Sequence, residues 1–338
     1  MAVMQARAFW RVPGPRGELR QESLAEPGEG EVLVESRFSA ISRGTESLVF
    51  HGRIPDSEYQ RMRAPFQQGE FNDTLKYGYA NVGRVLKGPS SLLGRDVFCL
   101  FPHQDRYVVP EAAVLPLPDG VPARRGVLGA NMETAVNALW DAAPVVGDRI
   151  GVIGAGVVGV LVAALAADIP GADVTLVDIN PARARLARRL GVRFRLPDDA
   201  PENCDLVFHT SGSAAGLRQA LVLAGNEARV IEMSWYGTRD VELPLGQAFH
   251  SRRLSLLASQ VGHPRADRAA RWGGQRRLAL ALGLLADPRF EALLEPSCAF
   301  EDLPWVMASV TSPQSETLCQ VVRYGTQDED DGHSERSA

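Results

Sequence analysis

The sequence predicts an α/β protein, with a doubly wound parallel sheet in the middle of the chain and a mostly β unit at its start. Three observations lead there. Residues 150–178 run from a short apolar stretch through clustered glycines and an apolar helical run to a second apolar stretch that ends on an acid. Strand-like and helical runs then keep alternating, which is the pattern of parallel βαβ units. Residues 2–123 instead carry short runs between Gly and Pro turns, as half-buried strands do.

Taken in order, residues 31–36 (EVLVES) alternate polar and apolar, and 80–85, 96–100 and 106–109 read as further strands. The pattern turns helical from Gly126, with 134–142 as the first clear helix. Ile150-Gly151-Val152-Ile153 reads as a buried strand. Gly154, Gly156 and Gly159 follow in the spacing G-x-G-x-x-G, with Val157 and Val158 opening the next helix. The strand 173–177 ends on Asp178, 19 residues past Gly159. This order is the dinucleotide-binding (Rossmann) fingerprint. Gly154 permits the tight turn, Gly156 lets a pyrophosphate approach the backbone, and Gly159 lets helix and sheet pack closely. The helix N-terminus offers free N–H groups to the phosphates. Asp178 can accept hydrogen bonds from a ribose 2′-hydroxyl and would repel a 2′-phosphate, which favours NAD. Arg183 and Arg185 keep NADP possible.

Later strands lead into polar turns: 206–209 into Thr210, Ser211, Gly212 and Ser213; 229–233 into Ser234, Trp235 and Tyr236; 254–258 into Ser259 and Gln260. Ligands of such sheets bind at the carboxyl ends of the strands. The expected cofactor contacts are therefore Gly154, Gly156, Val157, Val158, Gly159, Asp178, Ile179, Arg183, Thr210, Ser211, Gly212, Ser234 and Gln260. The helix 303–310 and strand 317–323 are expected to return to the first domain. The expected domains are 1–123 with 288–325, then 124–287, then a disordered acidic tail, 326–338.

Composition excludes several classes. Of 338 residues, 45% are hydrophobic and 23% charged, ordinary values for a globular protein. A net charge of −5 provides no basic field for nucleic acid. Cys99, Cys204, Cys298 and Cys319 form no C-x-x-C pair, which argues against a disulfide framework and suits the cytoplasm. Residues 150–167 lack charges, but glycines bunched in their first half weaken a helix, so no membrane span is expected.

Beyond the fingerprint, 27–34 (PGEGEVLV), 116–121 (PLPDGV) and 145–150 (VVGDRI) resemble segments of the medium-chain dehydrogenase/reductase family of alcohol and polyol dehydrogenases. The resemblance covers residues 5–325. It implies a GroES-like N-terminal catalytic domain, a nicotinamide cofactor, a small-molecule substrate and a homodimer. The departures point to a zinc-independent branch. Where zinc-dependent members carry a cysteine motif, this chain has Arg43-Gly44-Thr45-Glu46, so the cysteine position holds Arg43, or Ser42 with the gap placed differently. Where they carry G-H-E it has Gly78-Tyr79-Ala80, and the third ligand position falls near Ala130. Zinc needs thiolate, imidazole or carboxylate ligands, and no metal is expected. Ser42–Glu46 also resembles a segment of bacteriochlorophyllide-type dehydrogenases.

Without zinc, side chains must polarise the substrate oxygen. The resemblance makes Thr45 a candidate proton relay, Tyr79 a candidate donor to a carbonyl and Glu46 a supporting acid. Arg43 could bind an oxyanion or a carboxylate. The alternatives are a helix cap for Thr45, an ion pair of Glu46 with Arg43, and a packing role for Tyr79. Arg61 and Arg63, in the polar loop 51–76, could clamp an anionic substrate or lie on the surface. Trp235 and Tyr236 could wall the pocket, with Phe101, His103 and Trp140 as weaker candidates. Two other functions stay open: an NADPH-dependent enone or quinone reductase, and a non-catalytic nucleotide-binding subunit.

Overall fold

A computed structural model describes residues 4–325; the tail expected at 326–338 lies outside the described residues. Six parallel strands form one sheet, in the order Arg193–Arg195, Asp173–Val177, Arg149–Ile153, Cys204–His209, Ala224–Glu232, Ser255–Ala258. Counted along the chain this is 3-2-1-4-5-6, the doubly wound order. The order reverses between Arg149–Ile153 and Cys204–His209, so their carboxyl ends open a crevice where a ligand can enter. Gly154 ends one strand and Thr210 the other, and the Thr210 N–H donates to the Ile153 carbonyl at 2.8 Å.

The helix Val157–Ala167 is apolar on every side because it is buried on every side: Val160 to Ala164 are at most 1% exposed. It packs between the sheet and the helix Gly129–Ala142. No helix among the described residues is long and apolar enough to cross a membrane. The buried Arg277, on the helix Gly274–Leu284, bonds Glu133 at 3.0 Å, Asn137 at 2.5 Å and the Val261 carbonyl at 2.5 Å. Glu133, close to the third expected metal position, therefore clamps two helices together.

The β part is built on the long strand Glu31–Ile41, which pairs with Asn81–Lys87 and Arg106–Pro110. Near the end of the chain, Gln320–Arg323 also pairs with it, antiparallel. A smaller sheet joins Arg16–Leu24, Met4–Val12, Leu75–Lys76 and Gln68–Gly69. The helix Arg43–Phe50 starts directly after Glu31–Ile41. Its Glu46 side chain turns back to accept the Ser42 N–H at 2.7 Å, satisfying an amide that the helix start would leave bare. The four cysteines are unpaired thiols.

Candidate active site

The glycine turn has the shape its motif demands. Gly154 has φ +105°, and a Cβ there would lie 2.7 Å from the Ser211 nitrogen. A Cβ on Gly159 would lie 1.9 Å from the Gly154 carbonyl oxygen. Gly156 is different: a Cβ there would meet no atom within 4 Å. It caps the helix Val157–Ala167, whose first N–H groups receive no side-chain cap. Bare backbone, open space and free donors at a helix N-terminus fit a pyrophosphate.

Asp178 stands at the tip of the neighbouring strand. Its carboxylate accepts the Ala155 N–H at 2.6 Å and the Asn180 N–H at 2.8 Å. It is thereby held beside the glycine turn, with one lone pair per oxygen left for a ribose. Ile179, next along, is 84% exposed. The residues present fit a nicotinamide dinucleotide.

The two other turns of the crevice are joined by a polar network. His209, fully buried, sits between Glu232 and Ser211: Nδ1 lies 2.9 Å from both Glu232 oxygens, and Nε2 lies 2.7 Å from Ser211 Oγ. A carboxylate on Nδ1 calls for N–H there, which leaves Nε2 to accept the Ser211 hydroxyl proton. Glu232 also accepts the Ser234 N–H at 2.6 Å and the Tyr236 hydroxyl at 3.0 Å. Ser234 Oγ accepts the Gly212 N–H at 3.0 Å. Gly216 makes room, since a Cβ there would stand 2.3 Å from Ser211 Oγ. Thr210 turns inward and donates to the Gly154 carbonyl at 2.9 Å, so its hydroxyl closes the turn. Gln260 accepts the Gly262 N–H at 2.7 Å.

The second group of residues lies at the start of the helix Arg43–Phe50. The Ser42 and Thr45 hydroxyls lie beside the Tyr79 phenol and favour its ionised form; burial and the nearby Glu46 carboxylate outweigh them and push the phenol up to about 12. Tyr79 therefore keeps its proton at neutral pH. Asn131, from the helix Gly129–Ala142, donates to Ser42 Oγ at 3.2 Å. Trp235 and Tyr79 pack on one apolar cluster with Leu48, Val49 and Tyr77, and the Thr238 N–H donates to the Arg53 carbonyl at 3.1 Å. These contacts bring the Tyr79 group against the 234–238 turn of the coenzyme sheet.

Several expectations are corrected. Glu46 does not pair with Arg43. It meets His103, whose Nε2 lies 3.0 Å from Glu46 Oε2. Arg43 instead reaches the Thr317 carbonyl at 3.3 Å and lies beside Arg183; burial and that second cation lower its pKa. Arg183 itself donates to the Glu316 carbonyl at 2.5 Å. Arg63 forks onto Glu70 with two contacts of 3.0 Å, and Arg61 lies 3.7 Å from Glu58. Acids within their own loop lie against both, and the Arg61 side chain is 79% exposed. Tyr236 turns its hydroxyl into the Glu232 network. Of the weaker wall candidates, Phe101 stacks on Tyr107 at 3.9 Å and Trp140 packs on Trp272 at 4.9 Å.

The expected metal positions hold Arg43, Tyr79 and Ala130, none of which is a usual zinc donor. Among the described residues, no three His, Cys, Asp or Glu side chains gather in a way that could hold a metal ion.

No family model matches the sequence. L-idonate 5-dehydrogenase from Escherichia coli superposes with a TM-score of 0.78 at 14% identity, covering 95% of this chain and 99% of that one. The chain has the fold of the medium-chain dehydrogenases. A second neighbour, a zinc-binding dehydrogenase of Sinorhizobium meliloti bound to NADP, superposes with a TM-score of 0.74 at 16% identity, covering 95% and 99%. Other neighbours hold NADH or NAD. Among sequence relatives, L-threonine 3-dehydrogenase of Ruegeria pomeroyi is 30% identical over 127 residues, 37% of this chain and 36% of that protein. The chain spans a third to a half of the length of the curated relatives it matches. These relatives and neighbours are dehydrogenases of the medium-chain type.

Four residues of these networks were not among the expected site residues: Ser42, Asn131, His209 and Glu232. Ser42 was legible as the neighbour of Arg43. Asn131 was legible as a polar residue at the head of an apolar helix. The link between His209 and Glu232 was hidden, because it crosses two strands that become neighbours only in the sheet.

Proposed function

We propose that this protein transfers a hydride between NAD(H) and an alcohol or carbonyl substrate without catalytic zinc. The observation that carries this reading is the Tyr79 phenol, kept protonated beside the Ser42 and Thr45 hydroxyls and packed near the turn that ends the fifth strand of the coenzyme sheet. The nicotinamide, when bound, supplies the hydride chemistry. Gly154, Gly156, Gly159 and the first N–H groups of the helix Val157–Ala167 hold the pyrophosphate, and Asp178 takes the ribose hydroxyls. Arg43 and Arg183 add positive charge on the same side. Tyr79 holds a proton at Oη for the substrate oxygen, and Thr45 and Ser42 pass it on. Glu46 stays beneath them, fixed by the Ser42 N–H and His103. Trp235 walls the substrate pocket.

Calorimetric titration with NADH and then NADPH tests the coenzyme assignment. Tight NADH and weak NADPH binding are expected, and binding of neither would favour the non-catalytic alternative. Elemental analysis of protein purified without chelator tests the metal assignment. About one zinc per chain would overturn it.

An NADPH-dependent reductase is the second reading. The proximity of Arg43 to Arg183 favours it, since two adjacent guanidinium groups could receive a 2′-phosphate. Preferential NADPH binding would select it. We further propose a homodimer: the terminal strand Ser255–Ala258 pairs on one side only among the described residues, and Leu257 is 41% exposed. Sedimentation of the protein and of Leu257→Lys tests this, with the variant expected to be monomeric.

A further inference from the structure

Ser211, His209 and Glu232 form a line of three groups to which hydride transfer gives no chemical role. Ser211 Oγ lies 2.7 Å from His209 Nε2, and His209 Nδ1 lies 2.9 Å from both Glu232 oxygens. A hydroxyl on one imidazole nitrogen and a carboxylate on the other is the order nucleophile, base, orienting acid. The sheet builds it. His209 ends the strand Cys204–His209, Glu232 ends Ala224–Glu232, and the two residues pair in register, which sets the acid beside the imidazole. Ser211, two residues past His209, reaches the other ring nitrogen.

Access is divided as nucleophilic chemistry requires. His209 is fully buried, whereas Ser211 is exposed, so a reagent can reach the hydroxyl while the imidazole stays shielded. Nδ1 also has Ser234 Oγ at 3.3 Å and the Tyr236 hydroxyl at 3.5 Å, but Nε2 meets Ser211 alone among the described residues. Ser211 Oγ accepts the Ser213 N–H at 3.3 Å and lies 3.0 Å from Ser213 Oγ. Both donors favour an alkoxide as the proton leaves. Oγ also sits against the first turn of the helix Ala214–Leu223, where the room left by Gly216 admits it. The Ala214 and Ala215 N–H groups at that helix start meet no acceptor among the described residues. Donors for an acyl oxyanion thus stand at the same turn as the nucleophile.

We infer that Ser211 is an activated nucleophile and that the coenzyme-free chain hydrolyses small activated carboxylic esters. Ser211 Oγ bonds to the ester carbonyl carbon while its proton passes to His209 Nε2. The bond from that carbon to the leaving oxygen breaks, and Nε2 gives the proton to the departing alcohol or phenol. Water then gives a proton to Nε2 and attacks the acyl-serine. The carboxylic acid leaves, and the proton returns to Ser211 Oγ. Water is the one co-reactant, and nothing is oxidised or reduced. Ser211 borders the coenzyme crevice, so the reaction belongs to the chain with that crevice open.

The test treats the full chain, without coenzyme, with diisopropyl fluorophosphate and follows hydrolysis of p-nitrophenyl acetate in parallel. The fluorophosphate gains an Oγ–P bond and loses fluoride. Peptide mass spectrometry should place one diisopropylphosphoryl group on Ser211, and ester hydrolysis should stop as it attaches. Ser211→Ala, at an exposed position, should abolish labelling and slow hydrolysis about a hundredfold. His209→Asn keeps an N–H for Glu232 but has no base, and should slow labelling of Ser211 by about the same factor. Labelling elsewhere or nowhere would overturn the assignment. So would hydrolysis undiminished by Ser211→Ala, or undiminished labelling in folded His209→Asn. The Ser211→Ala arm decides the matter even where His209→Asn does not fold. Neither arm uses NADH, so failure of this activity and failure of the oxidoreductase reading are separable.

Discussion

His103 Nε2 lies 3.0 Å from Glu46 Oε2, and neither side chain is more than 4% exposed. The chain continues through His103 Nδ1, 2.7 Å from Ser39 Oγ, to the Tyr324 hydroxyl, 2.9 Å further on. With Glu46 ionised, its oxygen takes the Nε2–H, and Nδ1 accepts the Ser39 hydroxyl proton. Gly78, at φ +134°, passes directly over His103: a Cβ there would lie 3.1 Å from the ring. The glycine before Tyr79 is therefore needed by the buried imidazole beneath it.

His103→Leu leaves the Glu46 carboxylate buried with the Ser42 N–H as its remaining partner. Breaking a buried pair in this way should lower stability by about 3 kcal/mol in urea denaturation. Glu46→Gln keeps hydrogen bonding without the charge and should cost about 1 kcal/mol. Equal losses in both variants would show that the charge is unimportant there.

Tyr79→Phe removes the proposed proton donor and leaves the ring. Turnover of an identified alcohol or carbonyl substrate should fall about a hundredfold, with NADH affinity within a few-fold of wild type. Unchanged turnover would remove Tyr79 from the chemistry.

Asp178→Ala should weaken NADH about tenfold and narrow the gap to NADPH, because the ribose acceptor and the repulsion of a 2′-phosphate vanish together. Weaker binding of both coenzymes by the same factor would mean that Asp178 serves only to anchor Ala155.

Alkali should unfold this protein early. Burial pushes the Cys99 and Cys319 thiols, and with Glu46 the Tyr79 phenol, up to about 12 from their ordinary values of 9 and 10. In the unfolded chain these groups ionise at their ordinary pH, while in the folded chain they keep their protons. Their contribution to stability is thus complete below pH 9 and is lost as pH rises toward 12. The urea midpoint should be flat from pH 7 to 8.5 and fall by pH 10.5. A constant midpoint to pH 10.5 would show that the thiols reach solvent.

The parallel sheet, the glycine turn and Asp178 were legible in the sequence because each depends on residues close together along the chain. A glycine at 154 bends the turn wherever the sheet is built, and an acid at the end of the next strand falls beside it by register alone. What only the tertiary structure decided is where long or polar side chains find partners. Arg61 and Arg63 read as candidate substrate clamps or surface residues, and only the folded loop brings Glu58 and Glu70 against them. Arg43 read as an anion binder or a partner of Glu46, and the folded chain placed the Thr317 carbonyl and Arg183 beside it. His103 and His209 became parts of buried networks because strands distant in sequence were paired. A guanidinium or imidazole takes the nearest complementary group in space, and that group is chosen by packing, which local sequence does not encode.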